Sequence, residues 1–156
     1  MLVNPRVEFV KTHPGATLPK PNIAAEHAIG TGDTGYDLVA VEDIVIPWHQ
    51  RHPGSAVVPV GLTLAYIEKG FWFRIEPRSG LGFKHNLQPH LGVIDNGYRG
   101  DLGVKLYNFG STEYTVHKGD KVAQFVVYPL IQPECRWADK ITQSDRGSDG
   151  FGSSGK

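Results

Sequence analysis

The stretch LGVIDNGYRGD, Leu91 to Asp101, holds a carboxylate and a phenol on either side of Asn96-Gly97. Asn-Gly is preferred in two-residue type I′ turns because both central positions need positive φ. The pattern predicts a hairpin with Asp95 and Tyr98 as a cross-strand pair, their Cβ atoms roughly 5 Å apart on one face. A carboxylate beside an aromatic ring suits a site that binds a ring-bearing ligand and activates a water. The plainer alternative is that Asp95 opens the turn and Tyr98 covers it. A second stretch, EPRSGLGFKH from Glu76 to His85, sets Arg78, the Ser79 hydroxyl and the Gly80 N–H side by side after an apolar run. Glycine admits close backbone approach and arginine offers a planar fork, so the trio reads as a phosphate cradle or as an ordinary turn with a solvated arginine.

Two polar residues stand within apolar runs: Asp37 in TGDTGYDLVA and Gln124 in KGDKVAQFVV. A carboxylate turned into a core costs several kcal/mol without partners or water, so Asp37 either faces solvent or has a task. A buried amide must be satisfied, which makes Gln124 either a bonded core group or one that positions water. The sequence closes on DRGSDGFGSSGK, a literal GxGxxG match from Gly150 to Gly155. That motif cradles phosphate between a strand and a helix, and only Lys156 follows it here. The run therefore reads as a disordered tail or as a flap that orders on a ligand. The seven histidines, among them His49, His52, His85, His90 and His117, lack metal-ligand spacing, and no GxSxG elbow is present.

These groups need a scaffold, and its length of 156 residues suits one domain. Apolar positions recur in short runs bounded by Gly, Pro, Asn and Asp, with no helical period over a dozen residues. The reading is all-β: strands at Val7–Lys11, Tyr36–Val41, Ile44–Ile46, Ala56–Ala65, Phe71–Glu76, Gly103–Phe109, Tyr114–Val116 and Val122–Pro129, with a helical turn at Ser79–His85. Short strands of this kind suit a barrel or a jelly-roll sandwich. Trp48, Trp72 and Trp137 are expected in the core or at subunit contacts.

Sixteen Lys and Arg balance sixteen Asp and Glu, which argues against nucleic acid or an anionic membrane as the main partner. One cysteine, Cys135, forms no internal disulfide. No signal-peptide core opens the sequence, and no run approaches the roughly 18 apolar residues of a membrane span. The expectation is an intracellular protein, cytoplasmic, nuclear or virus-encoded, and not secreted.

Taken in order, five stretches resemble the motifs of the homotrimeric deoxyuridine triphosphatases (dUTPases): TGYDLVA, PRSGLGFKH, GVIDNGYRGDLGVKLYNFG, GDKVAQFVV and RGSDGFGSSG. The resemblance runs from Thr34 to Lys156. It implies a distorted jelly-roll or β-clip barrel, a β domain over residues 1–145 and a flexible active-site flap over 146–156. It also implies hydrolysis of dUTP to dUMP and pyrophosphate in a homotrimer with shared active sites. Asp95 would be the general base, and Tyr98 would pack on the deoxyribose and reject ribonucleotides. Backbone at Gly92, Ile94 and Gly103 would read uracil, whose pocket lies within the motif's hairpin. Arg78, Ser79 and Gly80 would hold the triphosphate, and Gln124 the water and the α-phosphate. Asp37 would meet Mg²⁺ through water, with no direct protein ligand. Phe151 would stack on uracil while Arg146, Gly152 and Ser153 grip the γ-phosphate. Two departures stand out: Asp149 replaces a usual glycine, and Gly97 a frequently acidic residue. The related dCTP deaminases are the alternative, although their second motif usually has serine where Gly80 stands. A trimeric jelly-roll binding module would explain the strands but not five ordered polar clusters.

Overall fold

The structure is a computed structural model and describes residues 4–21, 32–148 and 150. The strands are β1 (Val7–Lys11), β2 (Tyr36–Val39), β3 (Ile44–Ile46), β4 (Gly54–Ile67), β5 (Phe71–Glu76), β6 (Leu87–Pro89), β7 (Gly92–Ile94), β8 (Asp101–Asn108), β9 (Tyr114–Val116) and β10 (Lys121–Pro129). A short helix, α1 (Ser79–His85), follows β5. Among the described residues they form one sheet in the order β1-β4-β8-β6, a second in the order β2-β10-β5-β7, and a ribbon of β3 and β9. All the pairings are antiparallel.

Alternation decides which face is buried. In β8, Leu102, Val104, Leu106 and Asn108 turn inward while Asp101, Gly103 and Lys105 turn out, the period-2 pattern of a sheet with one wet face. Val58, Leu62 and Leu64 of β4 meet the inward residues of β5 and β10 in one core. Aromatic rings fill its centre: Phe73 and Phe125 lie 4.6 Å apart between centroids, and Phe9 lies 5.8 Å from Phe125, distances at which aromatic pairs add to simple burial. The strands thus form two packed sheets, as in a jelly roll, and the expected barrel closure is absent among the described residues. β7 bonds to β5 and β6 to β8, with no ladder between the sheets to close a cylinder.

Several boundaries correct the sequence reading. β2 stops at Val39 because the Ala40 N–H leaves the ladder for Asp120 O (2.8 Å) and the Val41 N–H for Pro59 O (3.1 Å). β4 is longer than expected by two residues at each end, because Gly54 and Ser55 pair with Asn108 and Tyr107 of β8 and Tyr66 and Ile67 pair with Glu8 and Val7 of β1. Its register with β8 jumps between Pro59 and Thr63, and Gly61 takes φ +67°. Such an irregularity accommodates a proline that cannot donate and a glycine at positive φ. β6 and β7, three residues each, are too short for a period to show. Trp48 (41% exposed) and Trp137 (103%) lie outside the core, and Trp72 stacks on Tyr128 at 5.0 Å.

Candidate active site

Three of the polar stretches meet around one cleft of about 530 Å³, lined by Gly35, Asp37, Arg78, Ser79, Gly80 and Gln124, with Asp33, Thr34 and Val126 completing it. The sheet order makes this meeting unavoidable. β10 lies between β2 and β5, and its register sets Gln124 opposite both Asp37 and Glu76. Arg78 to Gly80 then follow directly from the end of β5.

Asp37 does not face solvent; it is 6% exposed. Its Oδ1 receives Arg78 Nε at 2.9 Å and its Oδ2 lies 2.8 Å from Lys121 Nζ. The lysine contact is an ion pair without hydrogen-bond alignment, so Oδ2 keeps lone-pair capacity without a directed donor. Two cations outnumber the Asp37 carboxylate at this point of the wall, although Asp33 also lines the cleft, and the Arg78 fork is the group placed to meet an anion. Lys121 escaped the sequence reading; its signal was a cation at the head of the strand that carries Gln124.

Gln124 is half-buried, and its Nε2 donates to Pro77 O at 2.9 Å. That bond fixes the amide plane, with Oε1 against Gly35. Ser79 and Gly80 open α1, where Arg78 is the N-cap in extended conformation with no side-chain capping bond. First-turn N–H groups lack helical acceptors, and a Cβ on Gly80 would meet nothing within 4 Å. Bare backbone therefore faces open space beside the arginine.

The third motif lies elsewhere. β7 pairs with β5 so that Gly92 faces Ile75 and Ile94 faces Phe73, carrying Asp95 toward the start of β5 and away from Arg78. Four residues of strand separate Trp72 from Glu76, roughly 13 Å. Asp95 and Tyr98 are exposed, and within this chain they are not brought to the Arg78 cleft. The expected type I′ hairpin is corrected too. Tyr98 N–H donates to Asp95 O at 3.0 Å, closing a turn, but neither Asn96 nor Gly97 has positive φ. The flanking strands join different sheets, so Asp95 and Tyr98 are not a cross-strand pair. Asn96 explains the change: its side chain bonds to the β4–β5 turn instead of supporting a hairpin. Tyr98 Oη donates to Asp101 O at 2.8 Å, while Asp101 also accepts from the Thr63 hydroxyl. Gly103 sits opposite Pro59 in the other sheet.

Arg146 is exposed on the segment after β10. Phe151, Gly152 and Ser153, and with them Asp149, lie outside the described residues. Among the described residues no group of three or more His, Cys, Asp or Glu could hold a metal ion, and no helix is long and apolar enough to cross a membrane.

Comparison with known proteins bears on the fold and the family. The chain is 40% identical over 163 residues to the deoxyuridine 5′-triphosphate nucleotidohydrolase of Solibacter usitatus, covering all of both chains. It is 36% identical over 153 residues to that of Oryza sativa, covering 98% of this chain and 82% of the other. A dUTPase of Staphylococcus bacteriophage 80alpha, solved with dUpNHpp, superposes with a TM-score of 0.80 at 24% identity, covering 97% of this chain and 99% of that one. Those matches favour the hydrolases over the deaminase alternative. Residues 23–155 match the dUTPase family model, a span that takes in the Arg78 cleft, the Asp95 turn and the strands that hold them, and the chain belongs to the dUTPase family.

Proposed function

We propose that the protein hydrolyses dUTP to dUMP and pyrophosphate by attack of water on the α-phosphorus. The observation that carries this reading is the cleft in which Arg78, Ser79, Gly80 and Gln124 surround a buried Asp37, inside a chain of this family. Arg78 and the N–H groups at Ser79 and Gly80 bind the phosphates, and Lys121 adds charge from behind Asp37. Gln124 orients the water and the α-phosphate. Asp95 takes the proton as oxygen bonds to phosphorus, and the bond to the bridging oxygen breaks to release pyrophosphate. Tyr98 packs on the deoxyribose, and backbone at Gly92, Ile94 and Gly103 reads the uracil edge.

Residues of this chain fit Mg²⁺ in one way. Without a cluster of three ligands among the described residues, the ion would arrive on the triphosphate. Asp37 Oδ2, buried and without a directed donor, would accept from its water shell. When bound, the ion supplies charge that organises the phosphates and eases departure of pyrophosphate. A dUTPase from phage phi11 of S. aureus, 22% identical with a TM-score of 0.72, was described with a structural Mg(II) ion.

Asp95 and the Arg78 cleft diverge along β5 within one chain, and a nucleotide lying between protomers would meet both. This supports a homotrimer with shared sites, in which residues 146–156 of one subunit, with Arg146, Phe151, Gly152 and Ser153, act as a flap over the nucleotide bound by others. Pyrophosphate release from dUTP, dTTP, dCTP and UTP, measured beside Asp95→Asn, tests the reading. Turnover confined to dUTP and a loss of about 10³-fold in the variant are expected. Ammonia release from dCTP, or full activity in the variant, would overturn it.

A further inference from the structure

We infer that Asn96 is the positioning residue of the Asp95 turn, fastening it to the β4–β5 turn; this rests on Asp95 being the base. The Asn96 side chain is half-buried, with Nδ2 2.8 Å from Phe71 O, 2.9 Å from Glu68 O and 3.4 Å from Ile67 O. An amide nitrogen has two hydrogens, and the two short contacts take them. The third carbonyl adds a weaker attraction at the edge of bonding range.

These carbonyls belong to a turn that is itself anchored from two further directions. Glu68 N–H donates to Arg6 O at 2.8 Å, and Leu130 N–H donates to Gly70 O at 2.7 Å. The β4–β5 turn is therefore a fixed point where the N-terminal strand, the end of β10 and Asn96 converge. By contrast, among the described residues the other hydrogen bonds of residues 95–99 reach no farther than Asp101, the first residue of β8. Tyr98 N–H donates to Asp95 O, Arg99 Nη1 to Asn96 O (2.8 Å) and Tyr98 O (2.6 Å), and Tyr98 Oη to Asp101 O. Those bonds shape the loop and tie it to its own continuation at the head of β8, but none of them reaches the β4–β5 turn. Asn96 is the attachment to that turn, one residue after the base and two before the tyrosine.

The chemistry of the socket selects the residue. Three converging carbonyls need a donor with no acceptor of its own at that end. A carboxylate would face them with like charge, and an alkyl group would leave them without the bond. Side chains that act from beyond the reacting atoms matter when small displacements of a base are costly in rate.

The test uses Asn96→Ala, Asn96→Ser and Asp95→Asn in the full-length protein, assayed well below each melting temperature, with affinity for a non-hydrolysable imido analogue of dUTP measured by calorimetry. Asn96→Ala should lower kcat about 10- to 100-fold while changing analogue affinity less than about threefold. Asn96→Ser, keeping one donor, should fall between parent and alanine, and both should narrow the preference for dUTP over UTP. A purely structural asparagine would lower the melting temperature and leave kcat and selectivity alone. Should Asn96→Ala fail to fold, the serine variant decides. Parental kcat in the alanine variant, or in the serine variant alone if alanine is unfolded, overturns the inference. An inactive Asp95→Asn beside such a result leaves the base intact and removes only the positioning role; an active Asp95→Asn removes the base itself.

Discussion

Gln124 occupies the space in which a side chain on Gly35 would begin: a Cβ built there would lie 1.8 Å from Oε1 and 2.4 Å from the amide carbon. Gly35 is thus one wall of the slot that orients the amide, and the Gln124–Pro77 bond is the other. Gly35→Ala should push the amide out of the slot. Because a flexible side-chain end moves rather than backbone, the stability loss should stay near 1 kcal/mol, while kcat falls at least about 10-fold. The double variant with Gln124→Ala should be no slower than Gln124→Ala alone, since both act through one group. Additive losses would show that Gly35 has a separate role.

Lys121 and Arg78 share the Asp37 carboxylate. Lys121→Met would leave Oδ2 without its cation in a buried position, and the loss should reach about 1–2 kcal/mol, tempered by the lysine's 39% exposure. The cleft would also lose one positive charge, so pyrophosphate should bind roughly 5- to 30-fold more weakly, with a shallower salt dependence. Lys121→Arg should retain most of the affinity. Equal pyrophosphate affinity in the methionine variant, by calorimetry, would separate Lys121 from the anion site.

Much of this cleft is legible in the sequence. Arg78, Ser79 and Gly80 follow a strand whose limits, Phe71 and Glu76, could be read from its apolar run, and Gln124 interrupts another such run. Adjacency in sequence carried that information. The Asp95 turn departs from its sequence signal, the strong local preference of Asn96-Gly97 for a hairpin. A tertiary partner, the β4–β5 turn, claimed the Asn96 side chain. Asp37 was ambiguous for a similar reason, as its two cations come from residues 41 and 84 positions away along the chain. Sequence shows which groups need partners; only the fold shows which partners arrive.

Gly61 marks a position where the backbone itself demands glycine. Its φ is +67°, and a Cβ there would meet the His13 and Ala16 Cβ atoms at 2.7 and 3.0 Å. Gly61→Ala should cost about 2–3 kcal/mol through backbone strain and crowding. For a chain of this size that lowers the melting temperature by roughly 4–12 °C. kcat measured well below the transition should be unchanged, because the residue lies in β4, away from the cleft. An unaltered melting curve would mean that the segment after β1 that carries His13 and Ala16 yields easily.

The divergence of Asp95 and Arg78 along β5 makes a prediction that no single variant can test. Asp95→Asn and Arg78→Ala are each expected to be inactive as pure proteins. If each site takes its carboxylate from one subunit and its arginine from another, refolding the two variants together assembles some sites with both native residues. Random mixing in equal amounts should restore about a quarter of parental activity, since each native residue is drawn independently with even odds. If one chain supplied both residues, every site would retain one lesion and the mixture would stay at the floor set by the pure variants. Recovery that rises with equimolar mixing and vanishes when either variant is in large excess is therefore the expected signature. Its absence, with mixed oligomers demonstrated by mass spectrometry, would sink the shared site.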